Sequence, residues 1–88
     1  MNNPKPFLEI QDGEFFIREF SPDVDSEDLV WHRDYEDRYV TPVGENDWLY
    51  QEDNKLPQPI NKEIFIPRGL YHRIIKGKTK LVVKIKKT

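Results

Sequence analysis

Trp31-His32-Arg33-Asp34-Tyr35-Glu36-Asp37-Arg38, taken together with Ile66-Pro67-Arg68-Gly69-Leu70-Tyr71-His72, holds both histidines of the chain. Residues two apart on a β-strand point to one face. A strand through the first segment therefore sets His32 beside Asp34 and continues the row to Glu36. A second strand that brings His72 opposite them completes a set of two imidazoles and one carboxylate, with Glu36 as a candidate fourth ligand. Such a set suits a divalent transition metal (Fe, Mn, Ni or Zn) and leaves positions open to water or a small ligand. The same residues also support a metal-free cluster, in which His32 pairs with Asp34 or Glu36 and Arg38 grips a carboxylate with its planar fork.

Eighty-eight residues make one domain with a thin stability margin. Five Phe, four Tyr and two Trp argue for a packed core, because disordered chains lack such large apolar side chains. Without cysteine, disulfides and thiolate metal sites are excluded. Residues 1–6 carry no apolar run of the signal-peptide kind, and no segment is long enough to span a bilayer as a helix, so a cytoplasmic protein is expected. The net charge of −2 provides no general attraction to nucleic acid. Acidic residues crowd 23–37 and lysines crowd 76–87. The lysines alternate with Leu81, Val83 and Ile85, as on the solvent face of a terminal strand, where they also discourage edge-to-edge pairing.

Residues 1–6 read as a loose lead-in and residues 7–88 as the folded domain. Phe7–Ile10 and Glu14–Phe20 flank Asp12-Gly13, which signals a hairpin, with both faces of the second strand apolar and expected to be covered. The stretch 21–28 is a loop in which Asp25 or Ser26 can cap a helical turn. A long strand region is expected over 29–43, then short strands over 48–51 and 63–66. The loop over 53–59 holds two prolines and is barred from a central ladder. Segments 70–75 and 80–86 are expected to pair as a hairpin through Gly77. Short strands punctuated by turn residues indicate an all-β sandwich or barrel.

Ile66-Pro67-Arg68-Gly69-Leu70-Tyr71-His72 resembles the second cupin motif, Pro-x-Gly-x-x-His, whose histidine binds metal. His32-x-Asp34 resembles the first motif, His-x-His, with Asp in place of the second His. Tyr39 to Gly44 is similar to the Val-x-x-Gly stretch that follows it. The resemblance spans about two-thirds of the chain, from Leu29 to Ile85. It implies a small cupin-type double-stranded β-helix, a jelly-roll barrel, with His32, Asp34 and His72 as metal ligands. Two positions depart from the family pattern. Arg38 and Tyr39 stand where cupins usually place a Glu ligand, and Lys76 stands where an Asn follows the second-motif histidine. His-x-Asp with a distant His also resembles the iron ligands of 2-oxoglutarate-dependent oxygenases. Those enzymes use a basic residue some ten positions further on, where this chain offers only Lys80 and Lys84.

The resemblance implies a protein that binds or converts a small anionic metabolite, with oxidation or isomerisation of a small acid or sugar derivative as the fitting chemistry. No organic cofactor is indicated. The alternative is a metal-free module that binds a ligand or partner without catalysis. Arg38, Arg68 and Tyr50 are the further ligand-binding candidates. Arg68 sits at the turn beside His72, and Tyr50, like Trp48 and Tyr35, serves either the mouth or the core. Trp31, Arg33, Tyr71 and Arg73 point away from the histidines, toward an outer face or a dimer contact. A short chain with apolar residues on both faces of its strands is expected to form a homodimer.

Overall fold

The computed structural model describes residues 5–88, so the first four residues of the expected lead-in lie outside the described residues. The strands are β1 (Leu8–Asp12), β2 (Phe15–Phe20), β3 (Arg38–Pro42), β4 (Leu49–Glu52), β5 (Gln58–Pro59), β6 (Ile64–Ile66), β7 (His72–Ile75) and β8 (Leu81–Lys87). They form a five-stranded sheet in the order β1-β2-β8-β3-β6 and a three-stranded sheet in the order β5-β4-β7, with every pairing antiparallel. No helix among the described residues is long and apolar enough to cross a membrane.

Local chemistry accounts for most of the turns. Gly13 takes the first of the two positions between β1 and β2 with φ 63°, the left-handed backbone that a tight hairpin demands. Asp25 caps a single 3-10 turn over Ser26–Asp28, its carboxylate accepting the backbone N–H of Glu27. Gln58 and Pro59, expected within a loop, instead pair with β4 as the outer strand of the small sheet, where the absent proline N–H breaks no central ladder.

The core fills the space between the sheets. On β8, Leu81, Val83 and Ile85 are buried while the residues between them stay partly exposed, the two-residue rhythm of a strand with one face inside. Phe20 opposes Leu81 across the ladder, and its ring meets that of Trp48, just before β4 of the other sheet, at a centroid distance of 5.6 Å. Trp48, Tyr50 and Leu81 are almost fully enclosed. Burying such side chains contributes about 1.5–3 kcal/mol each, which is what holds two short sheets together.

Three further expectations are corrected. Residues 29–43 are not one strand, because only Arg38–Pro42 joins a ladder and His32 makes a lone bridge to His72. The acidic stretch between them bends so that its polar groups can be used: the Asp34 carbonyl accepts Gly69 N–H at 2.9 Å and the Asp37 carboxylate accepts Arg68 N–H at 2.7 Å. Segments 70–75 and 80–86 do not pair as a hairpin, since β7 joins β4 while β8 crosses to the other sheet between β2 and β3. Asp47 directs that crossing by accepting the backbone N–H groups of Lys78 and Thr79 and the Thr79 hydroxyl, and the Trp48 indole donates to the Thr79 carbonyl at 2.6 Å. Among the described residues no second layer of strands lies over the outer face of β2, where the Lys84 ammonium sits over the Phe15 ring, 3.9 Å from its centroid.

Candidate metal centre

Four backbone and side-chain hydrogen bonds sew the two histidine-bearing segments together. His32 and His72 exchange N–H donations to each other's carbonyls, both at 2.9 Å, and the Asp34–Gly69 and Asp37–Arg68 bonds complete the seam. Gly69, with φ 83°, provides the left-handed turn that delivers His72 to this register. The opposed histidines then point to the same face, into the space between the sheets.

Each imidazole is oriented alike. Nδ1 of His32 lies 2.9 Å from the Val30 carbonyl, and Nδ1 of His72 lies 2.8 Å from the Leu70 carbonyl. A carbonyl oxygen only accepts, so each Nδ1 carries the hydrogen and each Nε2 presents a lone pair. Both Nε2 atoms face Asp34: His32 Nε2 is 3.7 Å from Oδ1 and His72 Nε2 is 3.5 Å from Oδ2. The Asp34 and His72 side chains are nearly sealed, at 6% and 5% exposure, whereas His32 at 48% forms the open side.

Three acceptors converging on one point repel unless a cation lies among them. Asp34 Oδ2 is buried with no hydrogen-bond partner, an expensive state for a carboxylate oxygen. Burial, reinforced by the Arg38 guanidinium and by the repulsion a second proton on neighbouring His32 would bring, holds the His72 imidazole below its usual pKa despite the Leu70 and Asp34 contributions, so a proton is a poor occupant there. A metal ion suits the donors better. Bonds of ~2.1 Å in a tetrahedral shell place donors ~3.4 Å apart, close to the two measured separations. His32, Asp34 and His72 form the one group of this kind among the described residues, their donor atoms all within 4.8 Å of one another.

Glu36 and Arg38 are arranged differently. Arg38 donates to Glu36 Oε1 through Nε at 3.2 Å and Nη2 at 2.9 Å, and its Nη1 stands 3.4 Å from Asp34 Oδ1. Glu36 is thus engaged by the guanidinium and lies outside the three-donor group. Tyr50 is buried and lines the cavity beside His72, its ring centroid 5.8 Å away. Burial and the neighbouring Glu52 carboxylate raise the Tyr50 hydroxyl far above its ordinary pKa, so it remains a neutral phenol. Arg68 is exposed at the turn, contributes its backbone N–H to Asp37, and does not line the cavity.

The residues around the histidines are as informative as the donors. Behind the seam, Arg33, Tyr71, Trp31 and Arg73 stack in that order. Guanidinium-to-centroid distances of 5.3 and 4.8 Å flank a Trp31–Tyr71 pair at 5.7 Å. This places all four on the outer face, as the alternation of side chains requires. In front of the seam, a cavity of about 150 Å³ opens between the sheets. Arg18 lines it and is absent from the sequence-derived candidates. Its signal was available, since it lies between Phe16 and Phe20 on the inward row of β2.

No family model matches the chain, and no curated protein does either. Solved structures do. One is a cupin domain from Bordetella pertussis, with 20% identity, 99% of each chain covered and a TM-score of 0.59. Another is a cupin-2 domain-containing protein from Shewanella frigidimarina, with 15% identity, 97% of this chain and 81% of that one covered, and a TM-score of 0.57. A third is FeII HppE, with 12% identity over 84% of this chain but only 41% of that one, and a TM-score of 0.62. Identities this low speak to the fold alone. Two antiparallel sheets enclosing the core, with a histidine–carboxylate cluster between them, thus constitute a cupin-like fold.

Proposed function

We propose that this chain is a small cupin-like protein that holds a divalent first-row transition ion at His32, Asp34 and His72 and binds a small anionic ligand beside it. The observation that carries this reading is the buried, partnerless Asp34 Oδ2 facing the lone pair of His72 Nε2. When bound, such an ion supplies Lewis acidity and exchangeable coordination positions. The chain's own residues do the rest. The Val30 and Leu70 carbonyls lock both imidazoles in the ligating tautomer, and Arg38 places a guanidinium beside Asp34. The HppE structure of similar fold is that of the FeII protein, which agrees with Fe as one of the candidates alongside Mn, Ni and Zn.

The test is elemental analysis of protein purified without a tag or chelator, alongside His72→Ala. Near-stoichiometric metal that disappears in the variant is the expected result. Protein that takes up neither Fe(II), Mn(II), Ni(II) nor Zn(II) when offered them refutes the metal reading. A second reading, a metal-free ligand- or partner-binding module, is favoured by one observation: Arg38 already supplies a cation to Asp34 Oδ1. That reading requires equal stability with and without chelator.

The proposed state is a homodimer through the outer face of the five-stranded sheet. Register puts Ile10, Ile17, Lys84 and Thr41 in one row of that face, and Asp12, Phe15, Lys86, Tyr39 and Phe65 in the next. Ile10 is 68% and Phe65 46% exposed. Lysines at the centre with Asp12 and Glu19 toward one edge give the face both signs of charge. A second copy related by a two-fold axis can match that pattern, and the oligomeric state in solution tests it.

A further inference from the structure

The cavity has two ends of different chemistry. One end is His32, Asp34, His72 and Arg38, and the body is built from Val40, Ile60, Ile64, Leu81, Val83 and Ile85. Of the further polar lining residues, Arg18 is held by Glu9 and the Tyr50 hydroxyl by Glu52, with Asp28 the remaining one. A sugar or polyol seated there would therefore bury hydroxyls against branched hydrocarbon, which opposes binding. The volume of about 150 Å³ sets the size. A cavity of that volume lined by Leu, Ile and Phe takes a benzene-sized molecule.

Charge sets the head group. Two Arg38 donors go to Glu36, and Nη1 stands at 3.4 Å from Asp34, which leaves guanidinium hydrogens for a ligand. Without an ion, Asp34 and Glu36 outweigh Arg38 by one negative charge. A divalent ion reverses that sign and admits an anion. Arg18 also lines the cavity, but its charge is matched by Glu9 and its guanidinium covers the Phe7 ring at 4.2 Å. A second carboxylate therefore finds no uncommitted guanidinium along the cavity wall.

We infer that the cavity binds a monocarboxylate of about six carbons. Its carboxylate lies at the Arg38 end, and its hydrocarbon body lies among Val40, Ile64, Val83 and their neighbours. The inference rests on the metal reading for the head group and on the apolar lining for the body, and the two are separable by experiment. Co²⁺-loaded protein is titrated calorimetrically with acetate, butyrate, hexanoate, octanoate, hexanol and glucose. Affinity should rise roughly 4-fold per methylene up to hexanoate, stop rising at octanoate, and be absent for glucose. Hexanol, lacking the charge, should bind more weakly than hexanoate. Val83→Phe and Ile64→Phe, each checked for a native circular dichroism spectrum, fill the body and should lower hexanoate affinity at least tenfold.

A Co²⁺ absorption band that is lost in His72→Ala, with no chain-length trend, overturns this inference and leaves the metal site standing. Glucose binding as tightly as hexanoate overturns it too. Wild-type protein that binds no Co²⁺ overturns the metal reading instead. The series on metal-free protein then decides: a retained chain-length trend upholds the ligand class, and a flat one removes it.

Discussion

At Asp34 the fold tolerates a carboxylate oxygen that is buried, unbonded and aimed at an imidazole lone pair. Such a residue is a liability to the empty protein and an asset to the loaded one. Asp34→Asn should therefore stabilise metal-free protein by about 1 kcal/mol, because an amide N–H can donate to His72 Nε2. It should also abolish the rise in melting temperature on adding Zn²⁺. Thermal melts of both proteins, in chelator and in Zn²⁺, check the paired outcome, and a destabilised variant in chelator would contradict it. His72 makes a pH prediction of definite sign. Its folded pKa is held below the ordinary value by burial, so the unfolded chain takes up the proton first. In chelator, stability should be level above pH ~6.5, the unperturbed histidine value, and fall as the pH drops below it. Urea midpoints from pH 7.5 to 5 measure this, and His72→Gln should flatten the fall. The His-x-Asp spacing was legible in the sequence. That Arg38 grips a nearby carboxylate was legible too, whereas its reaching both Glu36 and Asp34 depends on how the segment between them bends.

Among the elements, the crossing from β7 to β8 shows where local signals end. Gly77 reads as a hairpin turn by residue type alone. In the fold it is the residue over which Asp47 closes: a Cβ built there would lie 2.0 Å from Asp47 Oδ1 and 2.7 Å from the Asp47 carbonyl. Gly77→Ala should thus cost about 2 kcal/mol through overpacking against backbone, read as a lower urea midpoint with an unchanged slope. Gly44, with open space around the position of its Cβ, carries no such clash. The hairpin at Gly13, a cap at Asp25 or Ser26 and the turn at Gly69 were legible because each is decided within a few residues by backbone preference and a nearby acceptor, and the structure takes Asp25 for the cap. The strand expected over 29–43 failed for a related reason. Aromatic and β-branched content favours extended backbone in general, but pairing needs an edge to pair with, and the seam to residues 66–72 claims residues 32–37 instead.

For the whole molecule, the strand order places the last strand at the centre of the large sheet, between β2 and β3. The outer face of that sheet exposes apolar side chains among its charges, with Leu8 71% exposed beside Ile10. Light scattering at micromolar concentration should give the mass of two chains. Ile10→Glu combined with Phe65→Lys should give the mass of one while leaving the metal content unchanged, since both side chains lie on the face opposite the cavity. A wild-type monomer would dismiss the interface.

What the sequence determined by itself was local and chemical. It set an all-β chain of short strands, turns at Gly13 and Gly69, a cap at Asp25 or Ser26, and two histidines and an aspartate in segments able to meet. Backbone preferences and side-chain alternation act over a few residues, so they are written where they act. The tertiary structure alone decided which strands pair, that β7 and β8 belong to different sheets, that Arg38 faces Asp34 while Glu36 faces Arg38, and that the histidine cluster opens onto an apolar cavity. Those outcomes come from burying side chains contributed by residues 20 to 85 in one shared core, and no short stretch of the chain holds that information.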